Sequence, residues 1–262
     1  MMEFRPLSVM LLRPAVLSVS PQSWLTEGDS VTLSCEVTNS STNWTFSWYR
    51  EVPYRDGLIQ LKNNHGYVEL LSDSRRGSGG NYTLSPAALK HTGVYRCRGE
   101  REQFFTKFSN PQAVWIIGES PPVSLIINPS RTQHFTNDSL SLSCEDQSNS
   151  TGWTVRRYTR SNRVSNCLQW GSVTGSTCKI SSLSTSYTGV YWCESESGEN
   201  SNPVNITVYP SHVEAQFSVL MLISSVVTAS PYLLVTIILL IKCYRARAHT
   251  DGERTVNAVI ED

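Results

Sequence analysis

"KHTGVYRC", Lys90–Cys97, returns in the same chain as "SYTGVYWC", Ser186–Cys193. The shared core is T-G-V-Y-x-C, and each copy has a partner upstream. "SVTLSC" ends at Cys35 and "SLSLSC" ends at Cys144, both alternating apolar and polar residues with the period of a half-buried strand. Further short alternating runs surround them: "AVLSVSP", "TFSWYR" and "NYTLS" in the first half, "VSLIINP", "GWTVRRY", "STCKISSL" and "PVNITVYP" in the second. Turn residues recur between these runs, and no helical period of useful length precedes residue 217. Two all-β modules, residues 15–117 and 123–209, each read as a β-sandwich. "GESPP", Gly118–Pro122, divides them, because two prolines stop a strand ladder and suit a short stiff linker.

Six cysteines fall in these modules: Cys35, Cys97, Cys144, Cys167, Cys178 and Cys193. An even set reads as disulfides, although six cysteines allow about fifteen pairings. In a sandwich the two strand cysteines of each module staple facing sheets, which pairs Cys35 with Cys97 and Cys144 with Cys193. Cys167 and Cys178 remain for each other. Trp48, and in the second module Trp153, are the expected core tryptophans. Tyr95 and Tyr191, two residues before the second cysteine, fit the tyrosine corner. His91 and Tyr187 stand six residues before that cysteine, where an aspartate often pairs with a basic residue; neither carries a fixed negative charge.

Lysine plus arginine equal aspartate plus glutamate at 22 each among 262 residues, so no global charge points to nucleic acid. Residues 217–241 contain no charged side chain. As a helix they would be roughly 37 Å long, enough to cross a hydrocarbon core of about 30 Å. Lys242, Arg245 and Arg247 follow, which places residues 242–262 in the cytosol and the modules, with a stalk at 210–216, outside. Residues 1–14 are a weak or truncated signal peptide. N-x-S/T sequons at Asn39, Asn43, Asn81, Asn137, Asn149 and Asn205 all lie on the external side. Cys243, just inside the membrane, is a palmitoylation candidate or a plain cytosolic thiol.

The segments "PAVLSVSPQSWLTEGDSVTLSCEV" with "HTGVYRCRGE", and "SLSLSCEDQSNSTGWTV" with "GVYWCESESGENSNPVNITV", resemble the immunoglobulin Fc receptor and Fc-receptor-like family. The resemblance spans about residues 15–209 and is similar to the Fc gamma receptor-like proteins of non-mammalian vertebrates. It implies two tandem immunoglobulin-like (C2-type) sandwiches followed by one transmembrane α-helix, in an immune receptor that binds antibody Fc through the membrane-proximal domain. It implies contacts from the loops at about 146–152, 166–178 and 195–202 and from the 118–122 hinge. Gln147 stands where mammalian members carry one of two tryptophans that hold an Fc proline. Trp115 reads instead as a core or edge residue of the last strand of the first module.

Within those loops the candidate ligand-binding residues are Gln147, Asn149, Arg156, Arg157, Arg160, Trp170, Glu196 and Glu199. "WTVRRYTRSNR" concentrates Arg156, Arg157, Arg160 and Arg163, either as a basic patch for an acidic ligand or as partners of Glu194, Glu196 and Glu199 on the neighbouring strand. Catalysis, metal binding and cofactors find no motif: the five histidines are scattered, there is no C-x-x-C pair, and "RRGSGGN" lacks the ending of a phosphate loop. An adhesion or glycan receptor is the alternative function. The tail holds one tyrosine, Tyr244, in no activating or inhibitory motif, so a signalling adaptor is not identifiable.

Overall fold

The computed structural model describes residues 14–211 apart from 39–43, 55, 62–65, 73–79, 103, 147–151 and 162, and then residues 224, 232 and 234–245. Two compact units result, Met1–Tyr209 and Pro210–Asp262. In the second unit, residues 234–245 are helical. Among the described residues no helix is long and apolar enough to cross a membrane, and most of the expected span 217–241 lies outside them.

The first unit is all β. Its N-terminal part carries β1 (Ala15–Ser20), β2 (Trp24–Thr26), β3 (Val31–Val37), β4 (Thr45–Val52), β5 (Ile59–Gln60), β6 (Tyr67–Leu70), β7 (Asn81–Leu84), β8 (Gly93–Arg101), β9 (Phe104–Phe105) and β10 (Gln112–Ile117). There follow β11 (Val123–Asn128), β12 (Gln133–Phe135), β13 (Leu140–Asp146), β14 (Trp153–Thr159), β15 (Val164–Asn166), β16 (Ser172–Thr174), β17 (Thr177–Ile180), β18 (Gly189–Ser195) and β19 (Val204–Tyr209). Strands β1-β3-β7 face a sheet ordered β2-β10-β8-β4-β6-β5, with β9 hairpinned onto β8. Strands β11-β13-β17-β16 face β12-β19-β18-β14-β15. These are immunoglobulin-like sandwiches.

Alternation explains which residues fill them. In β3, Val31, Leu33, Cys35 and Val37 are buried, and in β13 Leu140, Leu142 and Cys144. Disulfides Cys35–Cys97 and Cys144–Cys193 join facing sheets, and Cys167–Cys178 closes the short segment between β15 and β17. On the chain-entropy model the two long bridges contribute about 4 kcal/mol each. Both tyrosine corners form: Tyr95 Oη donates to the His91 carbonyl at 2.6 Å and Tyr191 Oη to the Tyr187 carbonyl at 2.6 Å.

The cores differ in one expected residue. Trp48 lies opposite Cys97 in register, fully buried and stacked on Tyr82 at 5.3 Å. Val155, not Trp153, holds the equivalent place opposite Cys193. Trp153 falls two residues earlier, at the half-buried margin of that core, where its indole N–H donates to Asp146 at 3.2 Å. Trp170 supplies the missing aromatic volume from the segment between β15 and β16. It meets Tyr191 edge-on at 5.8 Å, next to the Cys167–Cys178 bridge.

Candidate binding surface

Strand β8 sends Tyr95 and Cys97 into the first core, so Val94 and Arg96 emerge on its other face. In β18 the same alternation buries Tyr191 and Cys193 and turns out Val190, Trp192 and Glu194. These outward faces meet. Val94 and Trp115 of the first sandwich pack with Val164, Val190 and Trp192 of the second, and Trp24, Ala113 and Tyr158 close around them. Trp115 lies 5.3 Å from Trp192 and 6.1 Å from Trp24. The x of T-G-V-Y-x-C is thus an inter-sandwich residue in the second copy, Trp192, whereas Arg96 in the first copy donates to Glu51 and to the Ser109 carbonyl of its own sandwich. Burial in the patch also pushes the Tyr158 phenol up to about 12.

Charged groups frame this apolar patch. Glu194 accepts from Arg156 Nε at 3.1 Å and from Arg50 Nη2, of the first sandwich, at 3.3 Å. Glu51 accepts from Arg96 Nε and, across the junction, from the Val164 backbone N–H at 3.3 Å. Burial holds the Glu51 carboxyl above its ordinary range, with Arg96 opposing that rise. Both carboxylates are almost wholly buried, so these pairs lie in a low-dielectric setting where loss of one partner leaves a costly bare charge.

A second repeat, S-N-P, fixes the loops. Ser109 Oγ accepts the Cys97 N–H at 3.0 Å and Ser201 Oγ accepts the Cys193 N–H at 2.9 Å. Asn110 then binds both backbone groups of Leu17 in β1, at 2.9 Å each. Asn202 does the same to Gly118, receiving its N–H at 2.8 Å and donating to its carbonyl at 3.0 Å. Gly118 is closely covered: a Cβ would fall 2.8 Å from Glu27 Oε2 and 2.9 Å from Leu89 Cδ1, so these side chains would have to shift to admit one. Asn200 is buried and donates to the Leu89 carbonyl at 3.0 Å, again crossing from the second sandwich to the first.

The loop beyond Cys193 is thus held at its base. Ser195 N–H donates to the Glu199 carbonyl at 2.9 Å, and Glu199 N–H donates to Ser195 Oγ at 3.0 Å. Glu196 and Glu199 stay exposed at the turn. Arg156 and Arg157 leave β14 on opposite faces. Arg156 goes to Glu194, whereas Arg157 points to the core side, opposite Tyr191 in register. The Arg157 guanidinium carbon lies 4.6 Å from the Trp170 ring centroid and 4.7 Å from that of Tyr187. Arg160 is exposed and Arg163 half-buried, so the four arginines share no single face. Gln147 and Asn149 lie outside the described residues, as do Asn39 and Asn43; Asn81, Asn137 and Asn205 are exposed. Leu168, which drew no notice in the sequence, is 75 % exposed beside the Cys167 bridge.

Arg50, Glu51, Arg96 and both S-N-P asparagines were also absent from the sequence-based candidates. Only the S-N-P pair left a visible signal, as a short repeat. Among the described residues no group of three His, Cys, Asp or Glu side chains could hold a metal ion.

Residues 13–100 match the family model for the immunoglobulin domain. No curated protein matches the chain. Among solved structures it is similar to the crystal structure of murine CEACAM1b, at 16 % identity and a TM-score of 0.28, over 74 % of this chain and 100 % of that one.

Proposed function

We propose that this chain is a single-pass cell-surface receptor that binds antibody Fc through the second sandwich, with residues 242–262 in the cytosol. The observation that carries this reading is the 195–202 segment. Its base is tied to Cys193, Gly118 and Leu89, while Glu196 and Glu199 remain exposed at its tip. A loop held in place before binding loses little conformational freedom on contact, which favours recognition by surface complementarity. Leu168 adds an exposed apolar anchor on the same sandwich. The resemblance of the sequence to the Fc receptor family supplies the ligand class. The protein performs no chemistry on that ligand.

An adhesion receptor is the second reading, favoured by one observation. Tyr54, Ile59 and Leu70 leave an exposed apolar margin along the β5–β6 edge of the first sandwich. Cells displaying the full chain, incubated with purified antibody classes and their Fc fragments, separate the two. Saturable Fc binding that weakens about tenfold, roughly 1.4 kcal/mol, in a Glu196→Lys/Glu199→Lys double variant supports the Fc reading. Cell–cell binding that persists without any Fc binding replaces it with adhesion.

A further inference from the structure

We propose that Arg157 and Trp170 form a binding site for a carboxylate at the edge of the second sandwich. This site lies outside the 195–202 loop, with Trp170 on the segment that also carries Leu168, and its test reads carboxylate binding separately from Fc binding.

Arg50 and Arg157 occupy the same register, opposite the corner tyrosines Tyr95 and Tyr191. Arg50 has a partner for both terminal nitrogens: it donates to the Lys90 carbonyl at 3.3 Å, to the Thr92 carbonyl at 2.8 Å and to the Glu194 carboxylate at 3.3 Å. Arg157 donates Nε to Ser165 Oγ at 3.3 Å and interacts with the Tyr191 hydroxyl, yet its Nη1 has no partner and none of the ion pairs among the described residues includes it. Tyr187, standing where a pairing aspartate is often found, offers it a ring face and no charge. Stacking on two rings attracts a guanidinium without replacing an acceptor for its N–H groups.

Unpaired polar atoms gather at this place. Arg157 Nη1, Asn166 Oδ1 and Trp170 Nε1 are three of the six buried side-chain polar atoms that lack a partner among the described residues. Two of the three are donors. Trp170 is only 8 % exposed, so its indole N–H is cut off from bulk water, and a buried donor without an acceptor is costly. Arg157 as a whole is half-buried, so part of its side chain lies at the surface although Nη1 is covered. Arg163 adds positive charge close enough to work with burial in pushing the Arg157 pKa down. An acceptor bearing negative charge answers the two donors and the local positive charge, while Asn166 Oδ1, itself an acceptor, takes no part. A carboxylate is the chemistry that already neutralises the matching arginine of the first sandwich. Its source is either a small organic acid or an acidic side chain of another protein.

The test follows the tryptophan indole N–H signals of the full chain by nuclear magnetic resonance. Sodium acetate is titrated against sodium chloride at equal ionic strength, and then a short polyglutamate peptide is added. The Trp170 signal should move saturably with acetate and not with chloride, while the Trp48 signal stays fixed. A peptide that saturates the shift at tenfold lower concentration than acetate assigns the site to a protein side chain; equal concentrations assign it to a small acid. No saturable shift with either carboxylate, or an unchanged shift in Arg157→Gln, overturns the proposal. If the Trp48 signal shows that Arg157→Gln is unfolded, Trp170→Phe keeps the stack and the Arg157 Nε–H becomes the reporter. That signal must still move with acetate, at several-fold higher concentration, and its failure to move also overturns the site.

Discussion

The two sandwiches share a strand plan but close their interiors differently. The first places one large residue, Trp48, against its disulfide and stacks it on Tyr82. The second puts Val155 there and fills the space from the side, with Trp170 carried on a segment that its own bridge, Cys167–Cys178, holds in place. The first core is organised from a central strand; the second depends on an edge. An edge segment has fewer neighbours to hold it, which gives the extra disulfide a physical role. The same contrast governs the arginines. Arg50 continues outward to a carboxylate of the other sandwich, while Arg157 turns onto the rings of Trp170 and Tyr187.

The largest expected effect breaks the first core. Trp48→Ala should cost about 3–5 kcal/mol in chemical denaturation, because it deletes a fully buried indole and leaves a cavity. Val155→Ala at the matching place should cost less, bounded by roughly 1.5–3 kcal/mol for a buried valine. Equal losses would mean that the two cores are not organised differently.

Removing the edge staple tests the other half of the contrast. A Cys167→Ala/Cys178→Ala variant should lose about 3 kcal/mol on the chain-entropy model. The loss should appear as faster hydrogen exchange in residues 164–180, with β3 and β8 unchanged. Uniform loosening of both sandwiches would contradict independent cores.

A smaller effect concerns the junction. Burial raises the Glu51 carboxyl pKa above its ordinary value of 4.5. With the folded pKa above the unfolded one, the folded state holds the proton more tightly. Stability from this group is therefore greatest below the unfolded value and declines as pH rises through the folded one. Thermal unfolding of Glu51→Gln, compared with the native chain across that interval, should lack this declining component. Parallel pH profiles for the two proteins would show that Arg96 and the Val164 N–H already compensate the buried charge.

Much of the architecture is legible in the sequence. Period-two alternation assigned Leu33 and Cys35, Leu142 and Cys144 to interior faces, and the spacing of Tyr95 and Tyr191 before their cysteines announced the corners. Trp153 misled because a tryptophan early in the strand following the first cysteine looks like the core residue. A shift of two residues keeps the same face but moves the ring to the margin, and sequence spacing does not record that displacement.

By itself, the sequence determined what is local: strand periodicity, the cysteines carried by facing strands, the repeated corner and the proline break at 118–122. Alternation states which side chains share a face, since successive residues of a strand must point opposite ways. It does not state what lies across from that face. Only the tertiary structure decided that Trp192 meets the neighbouring sandwich, that Glu51 reaches the Val164 N–H across the junction, that Asn110 binds a strand while Asn202 binds Gly118 through the same motif, and that Arg156 meets Glu194 whereas Arg157 meets Trp170. Those outcomes depend on how two folded surfaces come together, and their contacts join residues far apart in the chain.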